Sequence, residues 1–343
     1  MTGTPEPQSE RNEDHDIEEL AARVREGDRR ALGRAITLIE SRRPADQYRA
    51  LALLDSLLEH AGNSIRVGIS GAPGVGKSTF IEAVGVDLTA AGHRVAVLAV
   101  DPSSTRSGGS ILGDKTRMES LSRDPAAFIR PSPSSGTLGG VARRTREAML
   151  VCEAAGFDVV IVETIGVGQS ETAVADMVDS FLLLIAPGGG DELQGIKRGI
   201  VEIADLVVVN KADGDLAGQA KVIAADYTGA LHLLRPATKF WTPHVVTCSA
   251  LERVGIGDVW QAVQEHQEAL REGGELGRRR EAQARHWMWS EVSESLLAAL
   301  RDEPAVAVLI PELENAVTSG RMTPGTAARA LLDAFRGTAD QVR

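Results

Sequence analysis

The distribution of hydrophobic residues divides the chain into a central region and two flanks. In the central region, short apolar runs alternate with longer segments whose apolar residues recur at helical spacing, which is typical of parallel β-α-β units. The predicted strands are residues 65–70, 94–100, 127–130, 158–162, 180–186, 206–210 and 244–248. Crossover connections in such a sheet place helices on both faces and ligand-binding loops at the carboxyl ends of the strands. We therefore predict an α/β fold with a mostly parallel sheet flanked by helices.

Both flanks show helical periodicity without strand-like runs. Helices are predicted before residue 62 and again after Gly255, where Pro304, Pro311 and Pro324 separate them. The predicted organisation is a disordered tail at 1–16, a helical extension at 17–62, an α/β domain at 63–265 and a helical arm at 266–343. Trp287 and Trp289 of the arm belong either to its core or to a protein interface, and we favour the interface.

Composition argues against several classes of protein. A formal net charge of −11 does not suit a nucleic-acid-binding protein, whose affinity depends on neutralising phosphates. Cys152 and Cys248 are far apart in the chain, which fits a reducing compartment and no thiolate metal site. No apolar run reaches membrane-spanning length, and residues 1–16 lack the pattern of a signal or transit peptide. We therefore expect a cytoplasmic protein that binds neither nucleic acid nor a membrane.

The first predicted strand leads directly into a complete phosphate-loop motif, G-x-x-x-x-G-K-[ST], which a predicted helix follows. Backbone N–H groups of such a loop surround phosphate oxygens, Lys77 reaches the outer phosphates and Ser78 can ligate Mg²⁺. The predicted nucleotide-binding residues are Gly71, Ala72, Pro73, Gly74, Val75, Gly76, Lys77, Ser78 and Thr79. The flanking strand and helix argue against the alternative, a glycine-rich turn with a chance lysine.

Acidic residues stand at the ends of two further predicted strands. Asp101 and Glu163 either cap local structure or hold Mg²⁺, and with Lys77 they are the predicted catalytic residues. Asp114 follows in a long polar loop, so only the fold of that loop can bring it to the metal. Gly166 can donate its N–H to a γ-phosphate, but Val167 and not a glutamine follows it directly, so the usual residue that positions the attacking water is missing. We infer slow intrinsic turnover that a partner raises.

The motif N-K-x-D at the end of the sixth predicted strand indicates the base of the nucleotide. The carboxylate of Asp213 matches the ring N–H and exocyclic amine of guanine, whereas adenine offers no such pair of donors. Lys211 can cover the base, and Asn210 can tie this loop to the phosphate loop. By itself this motif is also a common surface turn, but its place after a buried strand favours guanine binding. The residues predicted to reach the guanine carbonyl through a backbone N–H are Ser249, Ala250 and Leu251.

Taken together, these motifs resemble the methylmalonyl-CoA mutase-associated GTPases, a P-loop family that includes MeaB and was earlier described as ArgK, a transport kinase. The segments that carry the resemblance are 71–78, 101–104, 163–171, 188–194 and 210–213. The segment E-T-I-G-V-G-Q-S-E at 163–171 is highly specific, and the likeness covers nearly the whole chain. The N-terminal tail has no counterpart that we can assign.

The resemblance implies a homodimeric GTPase that is the chaperone of an adenosylcobalamin-dependent methylmalonyl-CoA mutase. Such a chaperone gates cofactor loading and protects the mutase from inactivation, and the C-terminal arm carries its dimer contacts. Its ligand is GTP or GDP, and the implied Mg²⁺ ligands are Ser78, Asp101, Asp114 and Glu163. The implied switch, which reports the nucleotide state to the mutase, comprises Asp191, Glu192, Gln194 and Lys197.

Three alternatives stay open. The glycine-rich segment 187–198 that holds this switch is, on its spacing alone, equally well a flexible turn. A transport-linked protein kinase and a metal-insertion GTPase of the same broad fold are alternative functions. The seven histidines are scattered without ligand spacing, which argues against metal insertion.

Overall fold

The computed structural model of the chain describes residues 8–41, 43–100, 118–131, 138–164, 170–188 and 198–339. The strands in these residues are β1 (Ile65–Gly71), β2 (Val95–Val100), β3 (Ala127–Arg130), β4 (Val159–Thr164), β5 (Ser180–Ile185), β6 (Leu206–Val209) and β7 (His244–Thr247). The helices are α1 (Gln8–Arg25), α2 (Arg29–Glu40), α3 (Pro44–Leu57), α4 (Lys77–Ala90), α5 (Glu119–Arg123), α6 (Leu138–Ala154), α7 (Ser170–Ala175), α8 (Arg198–Ile203), α9 (Ala217–His232), α10 (Ile256–Glu272), α11 (Glu275–Asp302), α12 (Pro304–Thr318) and α13 (Pro324–Ala339).

The seven strands form one parallel sheet in the order β3-β2-β4-β1-β5-β6-β7. The predicted α/β class and all seven predicted strands are confirmed, although β4 extends to Thr164 and so includes Glu163. The central strand β1 lies between β4 and β5, and the chain passes from β1 to β2 on one side before it crosses to β5 on the other. The carboxyl end of β1 is therefore a point where connections diverge, which is where open α/β sheets bind ligands.

Helices cover both faces of the sheet. On one face, α4 and α10 pack on the central strands through a buried cluster that includes Ile69, Phe80, Ile161 and Val259. On the other, α6 packs against β2 and β4, and the N-terminal helices α1 to α3 pack on one another and on α6. Because both faces are covered, β2, β4, β5 and β6 are buried along their full length, which explains their nearly unbroken apolar sequences.

Buried ion pairs join the elements at the amino-terminal edge of the sheet. Arg66 of β1 pairs with Glu153 of α6 at 2.7 Å, and both side chains are almost completely buried. The same carboxylate accepts hydrogen bonds from Gly62 N and Ser64 Oγ. A buried charge is tolerated only when it is paired and hydrogen-bonded, so breaking any of these contacts is costly. The contacts therefore hold the segment after the N-terminal helices and the start of β1 against α6.

The first turns of α11 are anchored at the same edge. Arg280 donates to both carboxylate oxygens of the buried Asp179, at 2.9 and 2.6 Å, and Asp179 also accepts from the backbone N–H of Arg66 at 3.0 Å. Arg279 lies 3.4 Å from the carboxylate of Asp205, just before β6. The basic patch of α11 therefore makes internal contacts with the segments that begin three central strands.

The described residues fall into two compact units, which meet in the chain between Gln283 and Ala284. In the second unit, α12 packs against α13. Pro304 and Pro324 begin these helices as predicted, but the prediction was wrong for Pro311, which lies inside α12. A helix that packs against a neighbour can retain an internal proline despite the lost hydrogen bond. Helix α1 begins at Gln8 and so covers residues 8–16 of the segment predicted to be a disordered tail. The predicted domain boundaries at residues 62 and 265 remain predictions. No described helix is long and apolar enough to cross a membrane.

The buried Asp179 gives a stability prediction. Replacing it in Asp179→Ala removes the carboxylate that neutralises the Arg280 guanidinium, which keeps only its hydrogen bonds to the carbonyl oxygens of Gly62 and Ser64. We therefore expect the free energy of unfolding to fall by about 3–5 kcal/mol. Urea unfolding at neutral pH measures this change. The control is Glu119→Ala, which breaks the exposed pair with Arg123 and is expected to change stability little. An Asp179→Ala protein as stable as that control would contradict the role of the pair.

Candidate functional site

The carboxyl ends of β1, β4, β6 and β7 bring the sequence motifs to one edge of the sheet. The phosphate loop leaves β1, Glu163 lies near the end of β4, and the segments 210–213 and 249–251 follow β6 and β7. Several predicted site residues lie outside the described residues: Asp101, Asp114, Gly166, Asp191, Glu192, Gln194 and Lys197. The described part of the site is therefore built from the phosphate loop, Glu163 and the two loops on the β6–β7 side.

Two glycines of the phosphate loop are required by close approach. A Cβ atom on Gly71 would lie 2.2 Å from the carbonyl oxygen of Leu184, and one on Gly76 would lie 2.7 Å from Asn210 Nδ2. Gly76 also has a φ of 93°, which side chains rarely adopt, and it is the N-cap of α4. The loop therefore turns sharply into a helix whose first N–H groups have no partner within the helix, the arrangement that favours anions.

The ammonium group of Lys77 lies over the phosphate loop. Its Nζ donates to the carbonyl oxygens of Gly71 at 2.8 Å and Ala72 at 3.3 Å. Burial lowers the pKa of Lys77, and the carboxylates of Glu163 and Glu171 act in the opposite direction. The two acids thus favour the charged form of the lysine in a site where burial opposes it.

A hydroxyl and a carboxylate meet beside this lysine. Ser78 Oγ donates to Glu163 Oε1 at 3.3 Å, and Glu163 is only 4% exposed. Two oxygen donors of this kind fit Mg²⁺, which takes a few protein oxygens and completes its coordination with water and phosphate. Among the residues that the structure describes, no group of three or more His, Cys, Asp or Glu side chains is placed to hold a metal ion. The Mg²⁺ site predicted from Ser78, Asp101, Asp114 and Glu163 therefore stays a prediction.

The side chain of Asn210 joins three loops. Its Nδ2 donates to the carbonyl oxygen of Val75 at 2.9 Å, and its Oδ1 accepts from the backbone N–H of Ala250 at 2.9 Å. Asn210 is 1% exposed, so both bonds are shielded from water. The amide thus connects the phosphate loop to the loops after β6 and β7, as the motif predicts for the first of these contacts.

Lys211 makes a second link between the same loops. Its Nζ donates to the carbonyl oxygen of Gly74 at 2.6 Å, and its φ of 60° lies in the left-handed region. The aliphatic stem therefore spans the gap between the loop after β6 and the phosphate loop. This is the position from which the stem can cover a bound base.

The carboxylate of Asp213 is held by Ser249, whose Oγ donates to Asp213 Oδ2. The same Oγ accepts from Glu252 N at 3.1 Å, so the serine fixes both the acid and its own loop. Sequence reasoning assigned only the backbone of residues 249–251 to the site and missed this side chain. The sequence signal for this side chain is a serine placed just after the predicted strand that follows the N-K-x-D motif in the chain.

The tip of the loop after β7 is tied to the phosphate-loop helix. Arg253, with a φ of 55°, forms an ion pair with Asp87 of α4, while Leu251 remains 75% exposed. Ser249 and Val254 exchange backbone hydrogen bonds at 2.9 and 3.1 Å and close this loop. The segment predicted to meet the guanine carbonyl is thus a tight turn with fixed ends.

Comparisons with known proteins find a matching family and several similar chains. Residues 32–305 match the family model described as methylmalonyl Co-A mutase-associated GTPase MeaB. A Caulobacter vibrioides protein whose name calls it a GTPase is 58% identical over 320 residues, which cover 93% of this chain and 98% of that protein. The mitochondrial methylmalonic aciduria type A homolog of Mus musculus is 50% identical over 330 residues, covering 93% and 80% of the two chains. The crystal structure of a LAO/AO transport system kinase, 40% identical, superposes with a TM-score of 0.75 and covers 97% of this chain and 100% of its own.

The Asp213 assignment gives a prediction on base selectivity. Asp213→Asn presents an amide donor where the carboxylate accepts, so we expect guanine-nucleotide affinity to fall roughly 5- to 150-fold and xanthine-nucleotide affinity to rise. Fluorescent-nucleotide titrations with GDP and XDP measure both. Asp215→Asn, which changes an exposed acid two residues further on, is the matched control. Unchanged selectivity in Asp213→Asn would remove this residue from the base site.

Proposed function

The chain belongs to the family of methylmalonyl-CoA mutase-associated GTPases and is a GTPase, and we propose that it is the chaperone of an adenosylcobalamin-dependent methylmalonyl-CoA mutase. In this function, GTP binding and hydrolysis gate the loading of the mutase cofactor and protect the mutase from inactivation. The observation that carries the proposal is the family match over residues 32–305, whose description names the mutase. The mouse relative, named for methylmalonic aciduria, supports the same partner.

Each described site residue has a role in this proposal. Lys77 contacts the β- and γ-phosphates and stabilises the charge that develops on them during transfer. Ser78 and Glu163, together with Asp101 and Asp114, hold Mg²⁺, which when bound neutralises phosphate charge. Asp213 accepts hydrogen bonds from guanine. The Ser78–Glu163 contact of 3.3 Å supports the shared role of these two side chains.

Communication with the mutase is assigned to residues of two segments that follow β4 and β5 in the chain. Gly166 senses the γ-phosphate, and Asp191, Glu192, Gln194 and Lys197 form the switch that reports it. Since no glutamine directly follows Gly166 to position the attacking water, we assign a slow intrinsic rate that the mutase raises. In this proposal, hydrolysis is fast only when the mutase is bound.

A homodimer is part of the proposal. Large apolar side chains are exposed along α11, with Trp289, Val292 and Leu296 at spacings of three and four residues that place them on one face of the helix. Exposure of several such side chains on one face is typical of a protein interface. A second copy of the chain, related by two-fold symmetry, would bury this face against itself.

The phosphate loop supplies a direct test of the site. Lys77→Ala removes the main positive charge at the outer phosphates, and we expect the hydrolysis rate to fall at least ~100-fold and GTP affinity to weaken. Steady-state release of phosphate from GTP measures the rate. Lys221→Ala, on the exposed side of α9, is the control and should retain wild-type turnover. Hydrolysis unchanged by Lys77→Ala would mean that the phosphates bind elsewhere.

The mutase role has a separate test. GTP hydrolysis, with ATP as the comparison nucleotide, is measured for the chain alone and after addition of a purified cobalamin-dependent methylmalonyl-CoA mutase. We expect hydrolysis of GTP only, slow alone and faster with the mutase, because the partner supplies the missing water positioning. A guanine-specific rate that the mutase does not change would contradict the chaperone function and leave the GTPase site in place.

One observation favours a second candidate function. The solved structure that is 40% identical to this chain is named as a LAO/AO transport system kinase. A transport-linked kinase must transfer the γ-phosphate to a protein, whereas a GTPase transfers it to water. Incubation with γ-labelled nucleotide separates the two functions, since only the kinase leaves label on a protein.

A further inference from the structure

Two hydroxyl side chains meet inside the protein where β1 and β4 end. Thr164 Oγ1 donates to Ser70 Oγ at 2.9 Å, and the two residues are 0% and 1% exposed. Ser70 immediately precedes Gly71, the first residue of the phosphate loop, and Thr164 immediately follows Glu163. The hydrogen bond therefore joins the two strands at the positions from which the phosphate loop and the segment 165–169 depart.

The pair lies on the opposite face of the sheet from α4. Ile69 and Glu163 are register partners in neighbouring strands, and Ile69 belongs to the core cluster beneath α4. Because successive side chains of a strand point to opposite faces, Ser70 and Thr164 point away from the helix that carries Lys77. Any effect of the pair on the site must therefore pass through the backbones of the two strands.

Thr164 carries a hydroxyl group at a position where its neighbours on the same face of the strand are apolar. On the same face of β4, the preceding residues are Val160 and Val162, both fully buried. Valine has nearly the shape of threonine and carries no polar group, so packing alone does not require a hydroxyl here. A buried hydroxyl is tolerated when it has a hydrogen-bond partner, and Ser70 provides that partner across the strand pair.

We propose that Ser70 and Thr164 are a positioning pair for GTP hydrolysis, which fixes the end of β4 against the end of β1. This alignment sets the distance across which Glu163 of β4 faces Ser78 and Lys77 of the phosphate loop and α4. Sub-ångström changes in such alignments affect the chemical step more than ground-state binding. The inference rests on the proposed placement of the reacting phosphates at this edge.

The test compares Thr164→Val, Thr164→Ser and Ser70→Ala in the full chain. We expect Thr164→Val and Ser70→Ala each to lower kcat at least ~10-fold while KM for GTP and the Kd for GDP change less than about 3-fold, because the binding loops remain intact. Thr164→Ser restores the hydroxyl and should return kcat to within about 3-fold of wild type. The double variant Ser70→Ala/Thr164→Val should be no slower than Thr164→Val, since both act through one hydrogen bond.

A second buried hydroxyl provides the matched control. Ser180, at the amino end of β5, lies 2.7 Å from His266 Nδ1 and accepts from Gln267 Nε2 at 3.0 Å. Ser180→Ala should lower the Tm by an amount similar to Ser70→Ala without lowering kcat. The positioning role is overturned if Ser70→Ala and Thr164→Val keep kcat within 2-fold of wild type. It is also overturned if they lower kcat no more than Ser180→Ala does when the three variants lose the same amount of Tm. Lys77→Ala distinguishes failure of the proposed nucleotide site from failure of the positioning pair. Retained hydrolysis in Lys77→Ala would contradict the nucleotide site itself.

Discussion

The buried amide of Asn210 is the interaction on which the arrangement of the site depends. It satisfies a carbonyl of the phosphate loop on one side and a backbone N–H of the loop after β7 on the other. A primary amide can do both because it carries a donor and an acceptor on one planar group. Replacing it with an apolar residue of similar size would leave both backbone groups buried and unpaired, and the phosphate and base subsites would lose their fixed separation.

At the opposite edge of the sheet, ion pairs make the main connections between elements. Arg66, Glu153, Asp179 and Arg280 form a nearly continuous set of buried contacts between β1, α6, the start of β5 and α11. The central strands are therefore fixed at both ends, by ion pairs at the amino edge and by Asn210 and the Ser70–Thr164 pair at the carboxyl edge. Loops that depart from so constrained a sheet can change conformation while their points of attachment stay in place.

This division suits the partner-dependent turnover that we propose for this GTPase. The phosphate-loop lysine and the base-binding acid both lie in segments with many hydrogen bonds, which favours a nucleotide site that is formed before the partner arrives. Hydrolysis, by contrast, requires a positioned water, and the position directly after Gly166 holds Val167 instead of the glutamine that orients this water in other GTPases. Binding and hydrolysis are thus assigned to different segments of the chain.

The sequence by itself determined the seven strands, their parallel arrangement and the order of the nucleotide motifs, because hydrophobic spacing and short motifs are local properties of the chain. Only the tertiary structure decided which side chains meet across the strands. Asn210 lies 40 residues from Ala250, Arg280 lies 101 from Asp179, and Thr164 lies 94 from Ser70. Such contacts depend on strand order and register, which no local spacing encodes, and so the Ser249–Asp213 bond and the anchoring of α11 became visible only in the folded chain.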